Sequence, residues 1–273
     1  SPIRVSSAMW CNAYRVAKLR DGLINWRSGV TADIEKALVD VAWPYWECEG
    51  EIAKRYYLDA TDEDHAFYLK AQLWKELNPV DGFFNGLHRE LTTLVNRFPE
   101  VDKSIDRHDY HFLLTQLTEE FNHYVMLADI FEHVMGRKID VEDTVQLSEE
   151  KKLGDLRRGY VDDELTRAAV GFTEGGGARL FREGAKLSGS TVNNMTAKAM
   201  EIIYDDEKDH YAEQAKICVE LIKSGEDLSR MKDAIRDISN QRVAMRAEMF
   251  PGAMTENEIK KFNQMWVLNN FKS

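Results

Sequence analysis

Two four-residue runs constrain this chain more than any other feature: EFNH (Glu120–His123) and EKDH (Glu207–His210). Each sits inside a long segment of helical periodicity. Residues i and i+3 share a helix face, so each run presents a carboxylate and an imidazole side by side. Such groups tolerate burial only against cations or a bound metal. A fold that turns both runs inward must therefore bring two helices together around a common polar centre.

Apolar spacing at the helical period dominates nearly everywhere, and no alternating strand pattern competes with it. The expected class is all-α. A first helix is predicted over about 32–58, kinked at Pro44, and a second over about 62–77. Asn78 and Pro79 then read as the N-cap and first turn of helix A, over about 79–97. A loop follows, then helix B over about 107–135, closed by Gly136. A connector of about 20 residues, partly helical from Ser148, leads to helix C over about 158–187. The SGST run (Ser188–Thr191) breaks the pattern before helix D, which extends to about Ser224. A further helix stops at Pro251 and Gly252, and Thr255 with Glu258 forms a capping-box pattern for a last short one. The whole chain, 1–273, reads as a single helical domain. Its core is two hairpins, A–B and C–D, over about 79–224, with flanking helices over about 32–77 and 227–268.

A four-helix carboxylate site needs one more Glu from each partner helix, at matching depth. The break near 188–191 lies about midway between Glu174 and Glu207, so Glu174 faces the second run. Glu90 stands in a similar relation to Glu120 across the 98–106 loop. Glu51 or Glu47 could replace Glu90, and Glu183 is a weaker substitute for Glu174. Two divalent metals would balance four carboxylates, and a carboxylate–imidazole set suits iron or manganese better than structural zinc. The acidic residues preceding each Glu, Glu119 and Asp206, could accept the free N–H of the His on the opposite helix. Tyr124 and Tyr204 lie within a turn of the candidate ligands, as pocket lining or as core aromatics.

These motifs resemble those of the ferritin-like di-iron carboxylate superfamily. The spacing is most similar to the bacterial multicomponent monooxygenase hydroxylases and the small subunit of class I ribonucleotide reductase. The resemblance implies a ferritin-like four-helix bundle with additional flanking helices. It implies Glu90, Glu120, His123, Glu174, Glu207 and His210 as ligands to two Fe ions, with Mn/Fe as a variant. The implied activity is that of an oxygenase using O2 as co-substrate on a small organic molecule, by hydroxylation, desaturation, N-oxygenation or oxidative cleavage. A ferroxidase or other iron-handling role is the alternative. Three positions depart from relatives within that superfamily. Leu127 stands where the reductase subunit has its radical Tyr, and Ala178 where the monooxygenases have a Thr. Ile203 stands where amine N-oxygenases have an additional His.

Composition removes other classes. The formal net charge of -11 argues against a nucleic-acid binder, which needs a basic face, and against an anionic membrane surface. Three cysteines, Cys11, Cys48 and Cys218, form no CxxC, so neither a zinc knuckle nor a disulfide framework is expected. The expected setting is cytoplasmic, without a signal peptide or membrane span. No flavin or nicotinamide fingerprint occurs, so an external electron donor is expected; a homodimer is a further expectation.

Several features carry a plain reading beside a chemical one. His108 and His111 with Asp106 and Asp109 look metal-like but stand where helix B should be capped. His88 faces away from Glu90, and His65 and His133 belong to no constellation. The aromatic WPYWE run (Trp43–Glu47) reads as core or pocket wall. Gly175, Gly176 and Gly177 follow Glu174 directly, although each costs about 1 kcal/mol against Ala in a helix. With Ala178 they could leave space beside the metals, or allow a local helix distortion. Their plain reading is close helix packing through small residues.

Overall fold

The computed structural model describes residues 28–78 and 86–270. It is helical throughout, with no β-strand among the described residues. Helix α1 spans Ser28–Leu58 and contains Pro44. Helix α2 spans Asp62–Leu77, started by a reciprocal capping box between Thr61 and Asp64. The short α3, Leu87–Arg97, precedes α4, Arg107–Met135. Asp106 caps α4 by accepting the amides of His108 and Asp109, which accounts for the acidic cluster there; His108 and His111 are exposed. Gly136 ends α4 in the left-handed region, φ 64°, where a side chain would be strained.

The C-terminal half is more broken than its periodicity predicts. The connector is helical from Ser148 as expected, as α5 (Ser148–Tyr160), and the expected helix C is two helices, α6 (Glu164–Phe172) and α7 (Gly175–Gly184). The expected helix D is two, α8 (Thr191–Glu207) and α9 (His210–Leu221). Helix α10 spans Gly225–Met249 behind a Ser224 cap, and α11 spans Glu256–Asn270. At the start of α11, Thr255 and Glu258 exchange the expected capping bonds.

Helix α2 packs along α4, α4 along α8, and α8 along α7, while α1 and α10 back this set. A larger apolar cluster joins α2, α4 and α8 through Leu69, Leu73, Leu127, Phe131 and Ile203. A second one gathers α1, α6, α9 and α10 around Trp46, Phe172 and Ile235. No helix among the described residues is long and apolar enough to cross a membrane.

One pairing differs from the sequence expectation. Helix α2, read as flanking, runs beside the middle of α4. The helix expected at 79–97 begins at Leu87; Pro79 lies outside the described residues. Asn78 closes α2 instead of opening the next helix, donating its side-chain amide to the Trp74 carbonyl at 2.8 Å.

Candidate functional site

A cavity of about 90 Å³ opens between α2, α4, the α6–α7 junction, the α8–α9 junction and α10. Its wall has an acidic half and a guanidinium half.

In the acidic half, Glu76 of α2 meets Glu120 and His123 of α4, with one ligand atom from each lying within 4.8 Å of the others. His123 is 1 % exposed. Its Nε2 lies 3.1 Å from Asp206 Oδ2 on α8. Its Nδ1 is buried and makes no hydrogen bond, yet stands 3.8 Å from both Glu76 Oε2 and Glu207 Oε1. That separation is too long for a hydrogen bond. It fits two ligands of one ion, each about 2.1 Å from it. Nδ1 therefore faces two carboxylates without a hydrogen bond to either.

Burial raises the Glu76 carboxyl above its ordinary range, and His123 and a 2.7 Å bond from Gln72 only partly oppose it. Burial likewise raises Glu119, reinforced by the charge of Asp206; Glu119 accepts from Gln116 at 2.8 Å. Asp206 thus takes the expected place beside the His of the opposite helix. Tyr124 and Tyr204 pack at the margin of the apolar core, and Tyr124 stacks on Phe121; neither lines the cavity.

The second Glu-x-x-His run straddles a helix break. Glu207 ends α8, His210 begins α9, and Lys208 and Asp209 form the turn between them. His210 Nδ1 lies 3.1 Å from Glu207 Oε2, and both residues line the cavity. Glu174 occupies a matching break on the opposite wall. There the backbone bonds shorten to i→i+3, from Gly176 to Thr173 and from Gly177 to Glu174. The indole N–H of Trp46 donates to the Thr173 carbonyl at 3.2 Å. A contact from a distant helix therefore supports this distortion.

Glu174 also belongs to the guanidinium half. Its carboxylate accepts from Arg157 of α5 and, at 2.7 Å, from Arg242 Nη1 of α10. Arg242 and Arg246 grip Glu49 of α1, with Nε–carboxylate distances of 2.9 and 3.0 Å. Lys75 donates to Glu150 at 2.9 Å. Burial alone would raise Glu49 and Glu174, but the arginines outweigh it and hold both carboxyls below the ordinary range. Burial, with three neighbouring arginines, pulls Lys75 down despite Glu150.

Glu90 does not join this centre. Helix α3 packs against the beginning of α4, where Tyr110 donates its hydroxyl to the Leu94 carbonyl. An antiparallel pairing with that register brings Glu90 alongside about residue 114, roughly two turns short of Glu120. Glu76 holds the place expected for Glu90. Its sequence signal was its position one turn beyond Leu73 and two beyond Leu69, on the buried stripe of α2. Three further glutamates are engaged elsewhere: Glu47 with Arg179 and Arg182, Glu51 with Arg55, and Glu183 with Arg182 and Lys186.

The glycines divide. A Cβ at Gly175 would lie 2.8 Å from Tyr211 Cβ and 2.9 Å from the Trp46 ring. One at Gly176 would run into the Glu49 carboxylate. These two serve close packing and do not line the cavity. Ala178 is buried and also stands outside it. Gly177 alone of the four lines the cavity, and a Cβ there would meet only Arg242 Nη2, at 3.7 Å, and Arg246 Nη2, at 4.0 Å. Trp46 forms the wall behind them, packed on Phe172 and Tyr211 with ring centroids 5.3 Å apart in each case. His65 is a buried core histidine bonded to Asn193, at 3.0 Å, while His88 and His133 are exposed.

No family model, curated protein or solved structure matches this chain.

Proposed function

We propose that the acidic half holds iron and that the protein is an O2-dependent non-haem oxygenase acting on a small organic substrate, built on a ferritin-like helical frame. One observation carries this reading: the unpartnered Nδ1 of His123, sealed from solvent and aimed between Glu76 and Glu207. Glu76, Glu120, His123 and Glu207 would hold one ion. His210, Glu207 and Glu174 would hold a second, either iron or manganese. Bound iron would supply the redox-active, open coordination positions that O2 chemistry requires.

The chain's own residues prepare that chemistry. Asp206 would accept the Nε2 proton of His123, which would fix the tautomer with its Nδ1 lone pair toward Glu76 and Glu207. Glu207, at the end of α8, offers one carboxylate oxygen to each histidine. Gly177 keeps one wall open, while Phe181 lines the cavity as an apolar barrier to water. Electrons would come from a separate donor.

Iron handling is the second reading, favoured by a small cavity lined mostly with charged and amide groups. Anaerobic Fe(II) titration followed by one pulse of O2 tests both. Two Fe(II) per chain with a modified organic product supports the oxygenase; two Fe(II) per chain with only Fe(III) as product supports iron handling. Less than one Fe(II) per chain, or full binding by His123→Ala, sinks the metal reading altogether.

A further inference from the structure

Gln72 of α2 lines the cavity, is buried, and bonds to both of its halves at once. Its Oε1 accepts from Arg246 Nη1 at 3.2 Å, and its Nε2 donates to Glu76 Oε1 at 2.7 Å. The direction of this amide is dictated by its neighbours. A guanidinium can only donate, so the amide oxygen must face Arg246 and the NH2 group must face Glu76. Arg246 is itself fixed, because it is buried and its Nε donates to the sealed Glu49 at 3.0 Å. A glutamate at position 72 could accept from Arg246 but, when ionised, could not donate to Glu76. A lysine could donate but could not accept. The neutral amide does both.

The two oxygens of Glu76 are thereby told apart. Oε1 carries the bond from Gln72, whereas Oε2 stands 3.8 Å from His123 Nδ1, the buried nitrogen that makes no hydrogen bond. We propose that Gln72 is a positioning residue that presents Glu76 to the metal through Oε2 alone, with Arg246 and Glu49 holding its amide in place. The inference rests on the metal reading above. An amide seated on Oε1 keeps Glu76 from turning to offer both oxygens to one ion. It thus keeps free a position that a two-oxygen ligand would fill. The network around Glu49 acts on the ion through one neutral side chain.

Nuclear magnetic resonance of the metal-free protein reads the orienting bond directly. The Gln72 side-chain amide should exchange with solvent more slowly than that of the exposed Gln264. Its resonance should move in Glu76→Gln, where a neutral acceptor replaces a charged one. Mn(II) then reads the consequence. Gln72→Met is close in volume and removes both bonds. It should bind Mn(II) about tenfold more weakly, the effect expected when a ligand loses the group that orients it. The EPR line shape of the bound Mn(II) should also change, because Glu76 Oε1 becomes free to bind. Leu69→Met, a volume-conserving change at a buried position of the same helix, should alter neither.

A Gln72 amide that exchanges like that of Gln264, or that ignores Glu76→Gln, overturns the proposal. So does Mn(II)-loaded Gln72→Met with the unsubstituted line shape, or a Leu69→Met protein that reproduces the change. Should Gln72→Met fail to fold, the two amide measurements decide alone. A slow, Glu76-dependent amide in a protein that binds no Mn(II) sinks the metal reading and leaves the orienting bond standing.

Discussion

The two halves of the cavity solve the problem of buried charge in opposite ways. The guanidinium half is complete by itself, because Arg242 and Arg246 close on Glu49 with geometry good enough to overcome its burial. In the acidic half the Glu76 carboxyl stays raised by burial, and His123 Nδ1 makes no hydrogen bond. Glu76 and His123 are as buried as Glu49 and its two arginines, although the Glu207 and His210 side chains are part-exposed. The difference teaches that burial alone does not mark a functional site.

The same substitution should therefore act with opposite sign in the two halves. Glu49→Gln leaves Arg242 and Arg246 short of their sealed counter-charge, and breaking such a network costs about 3–5 kcal/mol. Urea unfolding at neutral pH should read that loss with or without metal. The pH dependence follows from the lowered carboxyl. The folded state binds its proton more weakly than the unfolded chain, so Glu49 contributes fully above the ordinary value of 4.5 and fades as pH falls through the lower folded value. Unsubstituted protein should lose stability on acidification more steeply than Glu49→Gln. Equal slopes would mean that the network is not intact in solution.

Adding a cation sharpens the contrast from the other side. Fe(II) or Mn(II) at about 100 times its dissociation constant should stabilise the protein by about 2.7 kcal/mol, since the unfolded chain has no such site. The gain should vanish in His123→Ala and persist in Glu90→Ala. A Glu90→Ala protein that no longer gains from metal would return Glu90 to the ligand set in place of Glu76.

That exchange shows what was legible in the sequence. The helices and the Glu120/His123 face could be read because helical period and i, i+3 spacing are local properties, whereas Glu207 and His210 meet across a helix break. Glu76 could not be matched to its partner helix, because Pro79 resembles a helix start, whereas Asn78 in fact closes α2. The breaks at Thr173–Glu174 and at Lys208–Asp209 depend on contacts such as the Trp46 bond, which periodicity does not encode. The arginine network left a weaker trace. Arg242 and Arg246 fall among Ile238, Met245 and Met249, all on the buried side of α10. Charged residues at core positions of an apolar stripe are a signal, but their carboxylate partners come from α1 and from the α6–α7 junction.

Glu76→Gln probes the acidic half directly. Metal-free, it removes a carboxylate whose ionisation is disfavoured by burial and keeps an oxygen for Gln72. A raised folded value means that the ionised group costs stability above the ordinary carboxyl range and that acid relieves the cost. The variant should be more stable than the unsubstituted protein at pH 7, by on the order of 1 kcal/mol. The difference should shrink toward pH 4, and metal affinity should fall. Destabilisation at pH 7 would show that the acidic half is balanced after all.

The smallest effect separates two adjacent glycines. Gly177→Ala should be neutral or stabilising by up to about 1 kcal/mol, because Ala is the better helix former and its Cβ would meet only Arg242 and Arg246 at ordinary contact distances. Gly176→Ala has the same intrinsic gain. Its Cβ, however, would strike a carboxylate that two arginines hold in place, so the overlap cannot be relieved by a simple side-chain rotation. Overpacking of that kind costs about 1–3 kcal/mol, enough to reverse the sign. Thermal melts of the two variants decide whether one helix wall, within a single residue step, changes from a packing surface into the lining of a working cavity. Two stabilised variants would mean that Glu49 is free to move, and the rigid half of the comparison would fall.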